Sequence, residues 1–349
     1  MVAGAGLVGL SADTFIGVNK ETVYGTGVGP SGATESFLFL SESLKSDRPL
    51  VPVPNISAAY LDVNQKFQGA QIVDGDVEVA VAYEGMENLL LHAFGELNNT
   101  SSGASGSFSR NFDLAKKGRW KSATSPSLSL HVSRGVVGSG ATNPTLFSYS
   151  GILIDSFQFS CGRDQPLKLR LSLFGRSETL QVSSATPGFP TAPIANFTEC
   201  TVTWGATVIP CTDFSVDSNR NLDRDRVFAG RTFAEEAPMG QYASRASMSS
   251  EWDGEKRVGT ATMYADYLAQ TPRELMFRFV STNTIPGTSI KYQFVLSLPN
   301  AIIATYPANV QGRGRVLVPI TFTGFDNDIT SAPHDIRLAS LNARSFLDN

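Results

Sequence analysis

Two stretches of the chain carry the same pattern of apolar and polar positions. Gly151 to Gly175 reads GILIDSFQFSCGRDQPLKLRLSLFG, and Asn300 to Gly324 reads NAIIATYPANVQGRGRVLVPITFTG. They align without a gap: Leu153 meets Ile302, Ile154 meets Ile303, Ser156 meets Thr305, Leu167 meets Val316 and Leu169 meets Val318. Leu171 meets Ile320, Leu173 meets Phe322 and Gly175 meets Gly324. Each stretch predicts a β-hairpin. The turns, Cys161 to Pro166 and Val310 to Arg315, hold the Gly and polar residues such a connection needs. The closing strands alternate strictly, which packs one face on a core and leaves the other to solvent or a partner. The repetition predicts an internal duplication, with the hairpin at the same place in each half.

The remaining pattern fills in around the hairpins. Glu35 to Leu44, Asp76 to Tyr83 and Ser127 to Ser133 alternate as strands. Between them, Glu84 to Phe94 changes to helical spacing, with Met86, Leu89, Leu90 and Ala93 on one face. In the second half, Phe197 to Ile209 predicts strands, Arg257 to Tyr264 a short strand and Ala265 to Gln270 a helical turn. Leu275 to Ser281 corresponds to the Leu128 strand. Segments without periodic apolar residues are expected outside the core. The expected organisation is an N-terminal arm (1–30), a first β domain (31–185) with a long polar loop (96–126), a linker (186–196), a second β domain (197–325) and a C-terminal tail (326–349).

Composition narrows the class. The length of 349 residues suffices for two domains with their own cores. Twenty-two Phe and 31 Gly suit a mainly β protein rich in turns. A net charge of −4 provides no basic footprint for gripping a nucleic-acid backbone. Only 17% of residues are charged, which points to a surface covered by something, such as further copies of the chain. Cys161, Cys200 and Cys211 are odd in number and lack metal-ligand spacing, so free thiols are expected. No stretch reaches the length of a membrane helix, and Met1 to Leu10 lacks the basic start of a secretory signal.

Candidate chemistry changes little. Gly4-Ala-Gly6-Leu-Val-Gly9 matches a dinucleotide fingerprint, but only Met1 to Ala3 precede it, too few for the strand that must deliver the glycines. The Asp/Asn spacing at Asp217, Asn219 and Asn221 hints at calcium, yet Leu222 and Phe228 stand where an EF-hand loop needs Gly and Glu. His92, His131 and His334 are scattered, and no nucleophile elbow, phosphate loop or zinc-protease motif is present. No enzymatic activity, metal or cofactor is therefore expected.

The order of parts resembles the tail tube (major tail) proteins of long-tailed bacteriophages. The resemblance is carried by Gly17-Val-Asn-Lys-Glu-Thr-Val-Tyr-Gly-Thr26, Phe39-Leu-Ser-Glu-Ser-Leu44, Gly75 to Gly85 with its Leu-rich helix, and Tyr149 to Phe157. In the second half it rests on Leu222-Asp-Arg-Asp-Arg226 and Leu298-Pro-Asn-Ala-Ile302. It implies a β-sandwich or half-barrel with a short flanking helix in each domain, and strands that join those of neighbouring subunits in a ring around a channel. With two such domains per chain, it implies a trimer with pseudo-sixfold symmetry, stacked into a tube through which DNA passes without specific binding. It further implies the tape measure, tail terminator and tail-tip proteins as partners, a location in the virion after synthesis in the host cytoplasm, and no membrane. Lys168, Arg170, Ser172, Thr321 and Thr323 lie on the polar side of alternating strands and are the candidate channel-facing residues. Leu44, Lys45, Asp47 and Arg48, with their expected counterpart Leu222, Asp223, Arg224, Asp225 and Arg226, are the candidate ring-to-ring contact. The alternative is a β-sandwich adhesin or receptor-binding module, which calls for clustered exposed aromatics; Trp120, Trp204 and Trp252 are dispersed. A β-rich hydrolase is the third reading.

Overall fold

The structure, a computed structural model, describes residues 8–9, 14–30, 35–52, 66–101, 107–114, 126–134, 136–137, 146–181, 187–189, 191–241, 243–251, 258–307, 316–325 and 337–342. It is mainly β. In the first half the strands are β1 (Val8–Gly9), β2 (Phe15–Glu21), β3 (Glu35–Phe37), β4 (Phe39–Glu42), β5 (Lys45–Asp47), β6 (Leu50–Pro52), β7 (Lys66–Gln68) and β8 (Ile72–Ala80). Helix α1 (Glu87–Phe94) follows, then β9 (Gly95–Ser101), β10 (Phe108–Leu114), β11 (Ser127–Ser133), β12 (Val136–Val137), β13 (Leu146–Gly162), β14 (Lys168–Gly175) and β15 (Ser177–Gln181). The second half has β16 (Cys200–Trp204), β17 (Thr207–Ile209), β18 (Asp213–Asn219), β19 (Ala243–Glu251), α2 (Val258–Ala269), β20 (Arg273–Thr284), β21 (Lys291–Thr305), β22 (Leu317–Gly324) and β23 (Arg337–Asn342).

One antiparallel wall runs through both halves in the order β4/β5, β8, β14, β13, β18, β19, β22, β21. The second layer forms because β13 and β21 are long enough to serve two sheets. The first part of β13 lies between β11 and β15, and β11 continues to β2 and β3. The first part of β21 lies between β20 and β23, with β16 and β17 beyond β20. Each half is thus a sandwich whose layers share a strand, and apolar residues at alternate positions close the core between them. Helix α1 is buried there whole, with Phe94 4.9 Å from Phe157 between ring centroids. The Glu35 carboxylate accepts from the amides of Asn88 (2.6 Å) and Leu89 (3.3 Å), satisfying donors that a helix start leaves open.

The strand registers repeat from half to half. Leu153 faces Phe174, Ile154 faces Leu173 and Ser156 faces Ser172; Ile302 faces Thr323, Ile303 faces Phe322 and Thr305 faces Thr321. Both hairpins skip a residue at the same place, between Ile154 and Ser156 and between Ile303 and Thr305. The pairing of β11 with β13 has its own irregularity between Leu128 and Leu130, matched by Arg273 and Leu275 in β20 against β21. A bulge disturbs a ladder at one point only, so its recurrence is more specific than the alternation that surrounds it.

Several elements differ from the sequence expectation. Phe15–Glu21, expected within the arm, is a buried strand at the centre of a sheet. The expected polar loop holds the β9–β10 hairpin, and the expected tail holds β23, which pairs with both β10 and β21. The stretch Arg257 to Tyr264, expected as a strand, falls almost wholly within α2. Its β-branched residues favour a strand locally, but the element corresponds in order to α1, and Asp266 anchors it by accepting from Trp204 Nε1 (2.7 Å) and Arg273 (2.5 and 3.0 Å). Residues 1–7, Trp120, Trp252, the Val310–Arg315 turn and His334 lie outside the described residues.

Two stability predictions arise here. Gly75 has φ +146°, and a Cβ there would stand 2.5 Å from the Ser43 carbonyl oxygen, where the chain crosses from β4 to β5. Gly75→Ala is expected to lower stability by about 1–3 kcal/mol, read as a drop in the thermal midpoint. His131 is fully buried, bonded through Nδ1 to Ser148 Oγ (2.7 Å), with Asn19 Nδ2 3.4 Å from Nε2. The ring is also hydrogen-bonded to the Val28 backbone, so groups from three segments hold it in place. Burial pushes the His131 pKa down to about 4 from 6.5, and that of His92 down to about 3. Below the unfolded value the unfolded chain binds protons that the folded chain refuses, so stability falls as pH drops from 6.5 towards 4. His131→Gln is expected to remove about 2–3 kcal/mol of that loss, read from urea midpoints across the window.

Candidate assembly surface

One face of the wall is polar by alternation. Along a row crossing the sheet, Glu78, Arg170, Gln158, Asp217, Arg245 and Thr323 stand side by side. A second row holds Ala80, Lys168, Ser160, Ser215, Ser247, Thr321 and Thr305. Opposite charges are neighbours: Arg170 Nη2 lies 2.6 Å from Asp76 and Lys168 Nζ 3.8 Å from Glu78. Burial raises the Asp217 pKa, and Arg245 across the ladder pulls it back. The five residues picked out by alternation, Lys168, Arg170, Ser172, Thr321 and Thr323, therefore share this face. Thr323, however, occupies the place that Phe174 has in the first half, and Phe174 is covered.

What covers Phe174 is the segment that follows β18. Strands β13 and β18 join the halves edge to edge, Ser156 facing Asn219 and Gly162 facing Asp213, and the ladder continues with the Arg220 amide donating to the Asp155 carbonyl at 2.8 Å. Arg220 is buried, its Nη2 donating to the carbonyl of Ala93 at the end of α1 (2.5 Å) and its Nη1 to that of Ile154 (3.3 Å). Beyond it, Leu222 packs with Leu153, Phe174, Ala234 and Ala237. The Leu222 amide donates to Asp155 Oδ1 (2.8 Å), and Arg224 pairs with the same carboxylate. Further along, the Gln71 amide donates to the Thr232 carbonyl (2.8 Å), and the Arg176 guanidinium lies 3.6 Å from the centroid of the Phe233 ring. This second-half segment is a strap laid over the first-half hairpin.

Among the described residues, no strand pairs with the outer edge of β4 and β5, nor with the edge of Ile302–Thr305 that faces away from β22. Pairing against β8 and β19 shows which strands correspond: Lys45 faces Asp74 as Asp217 faces Arg245, and Asp47 faces Ile72 as Asn219 faces Ala243. The counterpart of Lys45–Asp47 is thus Asp217–Asn219, not Leu222–Arg226, whose similarity in charge lies six residues out of register. Leu44 and Leu222 are buried, while Lys45, Asp47, Arg48 and Leu50 are exposed.

A model of the phage tail tube protein family matches residues 11–324. The chain belongs to that family. It is a structural protein of the phage tail and a component of the virion, assembling with other tail proteins into the tail tube. No curated protein matches the chain. Trp204, one of the dispersed aromatics, is buried in the core. The sequence reading missed Arg220 and Asp155, which fasten the joint: Arg220 stands in a polar stretch, and Asp155 reads only as a charged residue interrupting an apolar strand. No described helix is long and apolar enough to cross a membrane.

Proposed function

We propose that this chain is a tandem duplication of a tube domain, that its copies close into rings and stack, and that the polar face of the wall lines a channel through which DNA leaves during ejection. The observation that carries the reading is the β13–β18 joint: two equivalent halves share one antiparallel sheet, as neighbouring domains of a ring must. Three copies then give pseudo-sixfold symmetry. Lys168, Arg170, Ser172 and Thr321 face the lumen. There, Asp76, Glu78 and Asp217 alternate with Lys168, Arg170 and Arg245, so phosphates meet no continuous positive track and are not held. The tape measure, tail terminator and tail-tip proteins are the expected neighbours along the tail. Symmetry-resolved imaging of the assembled tube tests this: three chains per ring are expected, and six chains per ring, or no ring, would overturn it.

A further inference from the structure

We infer that the open edge of β21 receives β5 of a second copy of this chain, antiparallel and in the register that β13 and β18 already use within one copy. The inference rests on the reading of the chain as a ring-forming subunit and specifies how the ring is joined. Strand β21 corresponds to β13 through the shared hairpin register and bulge, and β4/β5 corresponds to β18 through the pairing with β8 and β19. Carrying the internal joint across places Thr305 opposite Asp47, as Ser156 is opposite Asn219. Tyr306 then faces Ser46, Pro307 faces Lys45 and Ala304 faces Arg48.

Three independent features of the free edges suit this arrangement. The first is proline. Asp155 offers its carbonyl to the strand across the joint, so alternation turns the backbone groups of Ala304 and Tyr306 to the open edge and those of residue 307 away from it. Pro307 therefore loses no donor that the joint needs. The second is Arg48, which stands in the place of Arg220. In the free chain its side chain is exposed, with Nε donating to the Gly69 carbonyl (3.2 Å). In the joint its guanidinium comes within reach of the Ile303 carbonyl, as that of Arg220 reaches Ile154. The third is Leu50, the counterpart of Leu222. Leu222 is 7% exposed beneath the strap, Leu50 is 55% exposed, and Ile302 waits half-buried in the place of Leu153. Strands β6 and β7 of one copy would thus strap the second-half hairpin of the next, and Thr323, like Phe174, would lie beneath them. One anchor has no counterpart: Ala304 replaces Asp155, so the joint between copies lacks the carboxylate that fastens Leu222 and Arg224. The joint between copies is the weaker of the two, and it takes Lys45–Arg48 into ring closure rather than ring stacking.

The test is disulfide trapping in assembled tubes. Asp47 and Thr305 would be a directly opposed pair at a non-hydrogen-bonded position, where side chains come closest. Asp47→Cys combined with Thr305→Cys, oxidised with copper–phenanthroline, is expected to give covalent dimers and trimers on a non-reducing gel, lost on reduction. Lys45→Cys with Thr305→Cys, on the same face but two residues along, is expected to stay monomeric, and each single variant serves as the blank for Cys161, Cys200 and Cys211. Leu50→Asp is expected to raise the protein concentration needed for assembly about tenfold or more, with the monomer's unfolding transition unmoved. If wild-type rings form but the Asp47/Thr305 pair does not link, or the Lys45/Thr305 pair links instead, this joint is wrong and the tube reading stands. If Leu50→Asp assembles like wild type, the strap is wrong. If the wild-type chain forms no rings at all, both fall together.

Discussion

Glu21→Ala is expected to destabilise the protein by at least about 3 kcal/mol, the largest effect of any single change considered. Glu21 is completely buried at the end of β2, yet it is not a lone charge in an apolar core. Its Oε1 accepts from Ser129 Oγ (2.7 Å) and the Gly151 amide (2.9 Å), and its Oε2 from Ser127 Oγ (2.5 Å) and the Gly25 amide (2.8 Å). One carboxylate thereby ties β2, β11, the turn after β2 and the start of the hairpin stretch. Removal leaves four donors, two of them backbone, without a partner in a place water does not reach. Each orphan costs about 1–3 kcal/mol, reduced where a hydroxyl rotates to another acceptor. Glu21→Gln keeps one acceptor oxygen but presents an NH₂ to donors, so it is expected to fall between alanine and wild type. Urea unfolding midpoints read the series; an alanine variant within about 1 kcal/mol of wild type would show that the network contributes little.

Arg220→Leu is expected to follow closely, with a loss of about 3 kcal/mol concentrated at the joint between the halves. Burial pushes the Arg220 pKa down to about 10, still far above neutral pH, so the folded protein holds a cation there. Its hydrogen bonds to the carbonyls of Ala93 and Ile154 connect the end of α1 and the bulge of β13 to the strand arriving from the second half. Leucine fills the volume but leaves both carbonyls without this donor. The loss is therefore expected to appear locally as well as globally: amides of β18 and of the second part of β13 should exchange faster, while those of β20 should not. Uniform exchange across all three strands would contradict a joint-specific role.

The hairpin repeat was legible because both copies bury the same positions. Leu169, Leu171 and Leu173 are in the core as Val318, Ile320 and Phe322 are, and that constraint writes itself into alternation. Helix α1 was legible from the spacing of Met86, Leu89 and Leu90. Strand β2 was not, because its buried Asn19 donates to the Gly29 carbonyl and its buried Glu21 accepts from the Gly151 amide, and a polar residue carries no mark of its future partners. Strands β9 and β10 were hidden by Ser, Asn and Gly: the buried Phe112 and Leu114 are too few to mark an alternation, and the pairing of β9 with β10 and of β10 with β23 holds the hairpin in place. The counterpart of Lys45–Asp47 was misplaced because charge similarity has no register, whereas a ladder against β8 or β19 has only one.

Strand β23 also sets an order of events during synthesis. It fills the gap between β10 of the first half and β21 of the second, pairing Phe108 with Asn342 and Phe294 with Ser340. The β9–β10 hairpin therefore has its inner edge vacant until the ribosome has emitted residue 342, long after the rest of the first half is available. Contacts so far apart in sequence form late, because the intervening chain must be brought round first. The nascent first half accordingly exposes an unpaired edge for most of translation, and chaperone engagement or premature pairing with another nascent chain should concentrate on residues 108–114 during that interval.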